Sequence, residues 1–236
     1  DDPRVRQAFM YGIDTELIVS TLLDGYGEAA TGLLPPSVTN WHNDNLEPYS
    51  HDPATARSLL EEAGWEASAD GPRKRGGDSL EITLWTYSSR PALSTIAEAI
   101  EQQLSEVGFE TTIRVTDWGG MDDAKNSGEA SMTLESTSAY GWPPDPDRLR
   151  YFAHPEEGKA VGYENDELTE LFEEGRQTLD QSERKAIYDE IQAISHDELP
   201  VGVLTYQENV IGLRTNVENH DPHPTEYRYN IEDVSK

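Results

Sequence analysis

At 236 residues the chain is long enough to bury a substantial core in one large or two smaller domains, and its lack of cysteine excludes disulfides, thiolate metal sites and cysteine nucleophiles. Its 18 Lys and Arg face 46 Asp and Glu, a formal net charge of −28 that repels phosphate backbones and excludes nucleic acid as an expected partner. No apolar run approaches the roughly 18 residues of a membrane span, and no charged-then-apolar leader opens the sequence.

Lysine is confined to Lys74, Lys125, Lys159, Lys185 and Lys236, while acidic doublets recur at 61–62, 122–123, 156–157, 166–167 and 173–174. Carboxylates in place of lysines on a folded surface point to adaptation to high salt, where screening within a few Å removes most self-repulsion. Calcium binding is the sharper alternative, but no Asp-x-Asp-x-Asp-Gly loop supports it.

The first segment is predicted helical, with Val5, Ala8, Phe9 and Ile13 at helical spacing, and a second short helix follows around Leu17, Ile18 and Leu22, ended by Gly25 and Gly27. Residues 31–50 are rich in Pro, Asn and Gly and predict a long irregular excursion ordered by Trp41 and Tyr49. Asp52 and Pro53 then start a helix whose buried stripe is Ala56, Leu59, Leu60 and Ala63, with Gly64 as its stop. Residues 65–79 are expected to be a polar loop.

Leu80, Ile82 and Leu84 alternate as a strand; Pro91 opens a long helix carrying Ile96, Ile100, Leu104 and Val107, closed by Gly108; Phe109, Thr111, Ile113 and Val115 alternate again. Strand, helix and strand of these lengths make a crossover unit with parallel strands. The loop from Thr86 to Pro91 therefore falls at the carboxyl end of a strand, where open α/β sheets place ligands.

A loop at Gly119-Gly120, a weak helix and a strand within Ala130–Thr137 are expected next, then a rigid Pro- and Gly-rich loop from Ser138 to Asp147. Leu168, Leu171, Phe172, Gly175 and Leu179 define one face of a helix; Ala186, Ile187, Ile191 and Ile194 define the next, with Asp180 and Glu183 spaced as a capping box. Beyond Pro200, Val201–Tyr206 reads as a near-continuous apolar strand and Asn209–Leu213 as another, before a polar tail.

Three segments carry a resemblance. Residues 2–14, Asp-Pro-Arg-Val-Arg-Gln-Ala-Phe-Met-Tyr-Gly-Ile-Asp, resemble a "D-x-R-V-R-Q-A-hydrophobic-x-x-A-I-D" helix, and residues 49–64 resemble "Y-x-x-D-P-x-x-A-x-x-L-L-x-E-A-G". Glu183 to Tyr188, followed by Glu198-Leu199-Pro200, is similar to "x-R-x-x-x-Y-x-x-x-Q … D-x-P". Order and spacing agree with the bacterial and archaeal solute-binding protein family 5, which includes dipeptide-, oligopeptide- and nickel-binding components of ABC importers.

That resemblance implies an α/β fold, the second lobe of a class II periplasmic-binding-protein-like molecule, with a mixed sheet flanked by helices. Residues 1–200 would form a C-terminal ligand-binding lobe and 201–236 strands and a tail returning toward a first lobe that this chain lacks. It further implies a small-molecule ligand (peptide, oligosaccharide or metal chelate), ABC permease subunits as partners, a monomer, no cofactor, and an extracellular or periplasmic-equivalent location with a lipid anchor on the full-length protein. The acidic composition suggests a haloarchaeal source.

Within this frame Arg90-Pro91 resembles an Arg-Pro pair that dipeptide binders place at the cleft, where a guanidinium pairs bidentately with a carboxylate; a surface arginine satisfying local acids is the plain alternative. Trp85 and Tyr87 flank the same strand end as apolar walls, although alternation assigns at least one of them to ordinary sheet packing. The loop from Tyr140 to Asp147 stands where the family has "G-W-x-x-D-x-x-D-P"; Asp145-Pro146-Asp147 matches its end, but the amine-binding Asp position falls on Gly141 and the Trp position on Ser138. Trp142 is then the replacement aromatic, Thr137, Ser138 and Glu135 line the same place, and a free-amine peptide loses its charge-assisted partner, so that a sugar or a chelate, which aromatic faces suit, fits somewhat better.

His220-Asp221-Pro222-His223 offers only two separated histidines, too few for a metal site, and none is expected. G-x-S-x-G, H-E-x-x-H and phosphate-loop motifs are all absent, so no enzyme is expected. The remaining alternative is an interaction or sensory module that reuses the lobe outside transport.

Overall fold

The protein was analysed as a computed structural model that describes residues 2–37, 40–69, 71–137, 145–158, 162–208 and 210–220. The first helix, α1 (Pro3–Tyr11), begins where Asp2 accepts the Arg4 N–H and Pro3 occupies the first turn, and it buries Ala8, Phe9 and Met10. A short α2 (Thr15–Leu17) continues into a π-helical turn at Ile18–Leu22, a detail that apolar spacing does not encode. Strand β1 (Gly27–Ala29) follows, then the irregular 31–50 excursion. This excursion is anchored as expected: Tyr49 is buried, stacks on His196 and donates its hydroxyl to the His196 carbonyl at 2.8 Å.

In α3 (Pro53–Glu62), Asp52 caps the Ala54 and Thr55 amides, and Ala56 and Leu60 are wholly buried. Residues 65–79 are more than a loop. They hold an antiparallel hairpin of β2 (Lys74–Arg75) and β3 (Asp78–Ser79), because Gly76 and Gly77 supply the positive φ angles (61° and 104°) that a tight hairpin turn demands. Its anchor is Arg73, 4% exposed, which donates to the carbonyls of Val107 and Trp65 and to Glu61.

The centre is β4 (Glu81–Tyr87), α4 (Pro91–Val107) and β5 (Glu110–Thr116). Ile96, Ile100, Leu104 and Val107 of α4 are all buried against Leu80, Leu84 and Phe109, and left-handed Gly108 ends the helix. Fully burying each such side chain contributes about 1.5–3 kcal/mol, so the apolar stripe rather than helix propensity sustains this unit. The two strands are parallel and in register from Glu81 opposite Glu110 to Tyr87 opposite Thr116.

After α5 (Trp118–Asn126), β6 (Met132–Thr133) joins β4 in parallel, giving the order β5-β4-β6. Gly119 and Gly120, expected in a loop, lie inside α5, because the Asp117 side chain caps the Gly120 amide and starts the helix before them. The 130–137 strand is short: it pairs at residues 132 and 133, the Leu134 amide donates once more to the Trp85 carbonyl at 2.8 Å, and the half-buried Leu134 side chain packs against the core.

A 3-10 turn (Pro146–Leu149) runs into α6 (Arg150–Ala153), followed by α7 (Asp166–Gln177) and α8 (Gln181–Glu198). Leu149, Leu168, Phe172, Tyr188 and Ile191 form a second buried cluster, and Asp180 caps α8 as its spacing foretold. Leu179 departs from expectation: α7 stops at Gln177, which leaves Leu179 95% exposed in the link to α8.

The apolar run 201–206 forms a strand only as β7 (Thr205–Gln207), whose partner β1 is three residues long. Ahead of it Gly202 lies so close to Met10 that a Cβ there would stand 2.8 Å from the Met10 Sδ. The second expected strand, at 209–213, is not formed by the described residues 210–213: Val210, Ile211 and Leu213 make no strand among the described residues and are exposed. Pairing of both senses is therefore present, the parallel kind in the central sheet and the antiparallel kind in two small ribbons. Among the described residues no helix is long and apolar enough to cross a membrane.

Candidate ligand-binding site

Because β4, β5 and β6 run parallel, their carboxyl ends meet at one edge. Gathered there are the Ser88-Ser89-Arg90 turn, the first turn of α4, the Asp117-Trp118 start of α5, and residues 134–137. The Ser88 amide donates to the Thr116 carbonyl at 2.9 Å and extends the pairing by one step past β4. Arg90 is exposed at the N-cap of α4, where its side chain makes no capping bond, so the guanidinium stands beside a helix end that favours negative charge.

The aromatic residues at this edge divide by depth. Tyr87 is 4% exposed, packs with Leu93 and Met121, and meets Trp118 edge to face at 4.9 Å. Its hydroxyl donates to the Ser136 carbonyl (3.0 Å) and accepts from the Ser136 amide (3.2 Å). Next to it the buried Thr86 hydroxyl donates to the Leu134 carbonyl at 2.9 Å. Adjacent β4 side chains thus fix the backbone leaving β6. Trp85 is half-buried, with its indole Nε1 shielded and without a hydrogen-bond partner. Trp118, which sequence reading passed over, keeps 44% of its surface exposed; the signal for it was an aromatic directly after a strand end and the Asp117 cap.

Thr137 is exposed and is the last described residue before 138–144; Tyr140, Trp142, Ser138 and Gly141 lie outside the described residues. Glu135 accepts from the Thr133 hydroxyl and lies 4.0 Å from the Lys125 ammonium. Asp145 is engaged on two sides: it accepts the Asp147 amide at 2.9 Å and pairs with the Arg184 guanidinium at 2.9 Å. Partial burial pushes its carboxyl upward, but Arg184 and the Asp147 N–H outweigh that and hold it below the usual carboxylate range.

No group of three or more His, Cys, Asp or Glu side chains able to hold a metal ion occurs among the described residues. His220 is described, whereas 221–223 lie outside the described residues.

The fold defines the class first. The chain superposes with a TM-score of 0.84 on the oligopeptide-binding protein AppA of Bacillus subtilis in complex with a nonapeptide, at 26% identity, covering 99% of this chain and 47% of that one. NikZ of Campylobacter jejuni, in complex with a nickel–histidine chelate, gives 0.81 at 24% identity, covering 100% and 49%, which speaks to fold alone. This is the α/β fold of periplasmic binding proteins.

The model of the bacterial extracellular solute-binding proteins, family 5 (middle), matches residues 1–159, and the chain belongs to this family. Among curated relatives it is 28% identical over 241 residues to oligopeptide-binding AppA of Bacillus subtilis and 26% identical over 243 residues to the dipeptide-binding protein of Escherichia coli. It covers 98% and 100% of itself in these matches but only 43% of each relative, so the chain spans less than half the length of the relatives it matches.

Proposed function

We propose that the chain forms the ligand-capturing lobe of a solute-binding protein that delivers its ligand to an ABC importer. The observation that carries this reading is the convergence, at one edge of a parallel sheet, of Arg90, the exposed Trp118 and the Tyr87-pinned 136–137 segment. Residues 1–200 are assigned to the lobe and 201–236 to the return toward the rest of the protein. Ligand contacts made by both lobes stabilise a closed state over an open one, and the permease subunits respond to closure; no chemistry is required.

In this site Arg90 takes a ligand anion, and Trp85, Trp118, Tyr140 and Trp142 supply apolar surface. Thr137 lines the rim, while Tyr87 and Asp145 hold its walls. Family membership and the peptide-binding names of the curated relatives favour a peptide over a sugar or chelate. Gly141 at the amine-binding position implies that a free N-terminus is not a requirement. The full-length protein is assigned to the cell surface as a lipid-anchored monomer. The net charge of −28 with five lysines supports a halophilic, archaeal setting.

The test is calorimetry on the full-length protein in high salt with a nonapeptide, its N-acetylated form, mannohexaose and a nickel–histidine chelate. Saturable binding of the nonapeptide, with the acetylated form within about 2-fold, is expected, since a lost charge-assisted bond would cost about 1.5–3 kcal/mol or at least tenfold. Silence across all four probes would sink the solute-binding reading.

A further inference from the structure

The last turn of α8 is closed by side chains from distant parts of the chain. The His196 carbonyl accepts the Tyr49 hydroxyl (2.8 Å), that of Asp197 accepts Gln7 (2.8 Å) and that of Glu198 accepts Arg6 (2.6 Å). Leu199, left-handed at φ 50°, returns its amide to the Ser195 carbonyl at 3.0 Å. One polar group of this turn is left over. Ser195 is 1% exposed, yet its hydroxyl has no hydrogen-bond partner among the described residues, not even the carbonyl four residues earlier that a helical serine can use.

Ser195 lines a small cavity together with Met10, Tyr49, Leu199 and Val203. Thr31 lines it too, at the root of the β1–β7 ribbon, where the Ala30 amide donates to the Leu204 carbonyl at 3.0 Å. The Thr31 hydroxyl is likewise shielded and unpartnered among the described residues, because the Tyr206 hydroxyl next to it has its proton committed to the Gly32 and Leu34 carbonyls. About 20 Å³ of the cavity is open to the centre of a water-sized sphere. One water needs roughly 10–15 Å³ by that measure, and two to four polar partners.

We propose that this cavity is a site for one ordered water that bridges the Ser195 and Thr31 hydroxyls and ties the root of the β1–β7 ribbon to the end of α8. Each hydroxyl both donates and accepts, so a water satisfies the pair where a dry cavity would leave two buried polar groups unmet. Met10, Leu199 and Val203 make much of the remaining wall apolar, and the Tyr49 hydroxyl and His196 Nε2 are already committed to carbonyls, which suits a neutral molecule rather than an ion. The site shares no residue with the carboxyl edge of the sheet and does not depend on the ligand reading.

Two measurements on the full-length protein decide it. A crystal structure at about 1.5 Å should show a water within roughly 2.7–3.2 Å of both oxygens. Absence of density there, or a Ser195 hydroxyl turned onto the Ile191 carbonyl, would overturn the site. In urea denaturation Ser195→Ala should raise the unfolding equilibrium constant about fivefold or more, although alanine is the better helix former, and Thr31→Val by a similar factor. The double variant should lose little beyond either single one, because both changes remove the same bridge. Single variants as stable as wild type or more so would mean a dry cavity, and losses that multiply in the double variant would mean two unconnected hydroxyls; either result would contradict the bridge.

Discussion

Replacing Tyr87 by Phe removes one oxygen and leaves the ring packed on Leu93, Met121 and Trp118, so it isolates the hydroxyl's two bonds to Ser136. Each bond contributes about 0.5–1.5 kcal/mol net, and the Ser136 amide and carbonyl, half-buried, are left partly unpaired. The expected cost is about 2 kcal/mol, near the middle of the range set by two lost bonds. That loss should appear in urea denaturation of the full-length protein as a lower midpoint at an unchanged slope. Because the same bonds hold the backbone leaving β6, ligand affinity should fall in parallel. A Tyr87→Phe protein within about 0.5 kcal/mol of wild type would refute the idea that this hydroxyl fastens the edge of the site.

Three further expectations concern stability. Arg73→Met should cost about 3 kcal/mol in urea denaturation, since it frees the buried carbonyls of Val107 and Trp65 and unties the hairpin from α3 and α4; a loss below about 1 kcal/mol would contradict that role. His154 is 2% exposed and accepts the Glu156 and Glu157 amides on Nδ1, and burial, with Arg150 nearby, holds its pKa below the ordinary 6.5. The unfolded chain then binds the proton first, so stability should be full above about pH 6.5 and decline as pH falls through the folded value; His154→Asn should flatten that slope, and an unchanged slope would exclude His154 as its source. Raising KCl from about 0.1 to 2 M shortens screening from roughly 10 Å to below 3 Å, so the thermal midpoint should rise; a flat response would remove salt adaptation as the reason for the −28 charge.

How much was legible in the sequence follows from how local each signal is. The β4-α4-β5 unit was readable because period 2 and period 3.6 are written in consecutive residues, and Asp52 and Asp180 were readable as caps because a cap acts within three residues. The β2–β3 hairpin escaped because its strands are two polar residues each, held by Gly76-Gly77 and by Arg73 rather than by an apolar face. Strands expected at 201–206 and 209–213 show the reverse failure: an apolar run becomes a strand only where a partner exists, and β1 offers three residues. The strand end beside Arg90 was legible, because the crossover unit puts it at the carboxyl edge of a parallel sheet. The bonds of Arg184, Tyr188 and Gln192 were not legible, since their partners Asp145, Asp147 and Trp41 stand 39, 41 and 151 residues away. Nothing in a linear pattern states which distant loop a helix face will hold.

The most direct test of the ligand site is calorimetric titration of a nonapeptide into the full-length protein in high salt, with Arg90→Ala and Trp118→Ala in parallel. Arg90 is exposed at the carboxyl edge of the sheet, so its change should move the thermal midpoint by no more than about 2 °C, whereas Trp118→Ala also loses the edge-to-face contact with Tyr87 and is titrated at a temperature well below its own midpoint. The expected result is at least about tenfold weaker binding in each variant, the loss of a charge-assisted bond in one and of an aromatic face in the other. Wild-type affinity in both variants would place the ligand elsewhere and contradict the site.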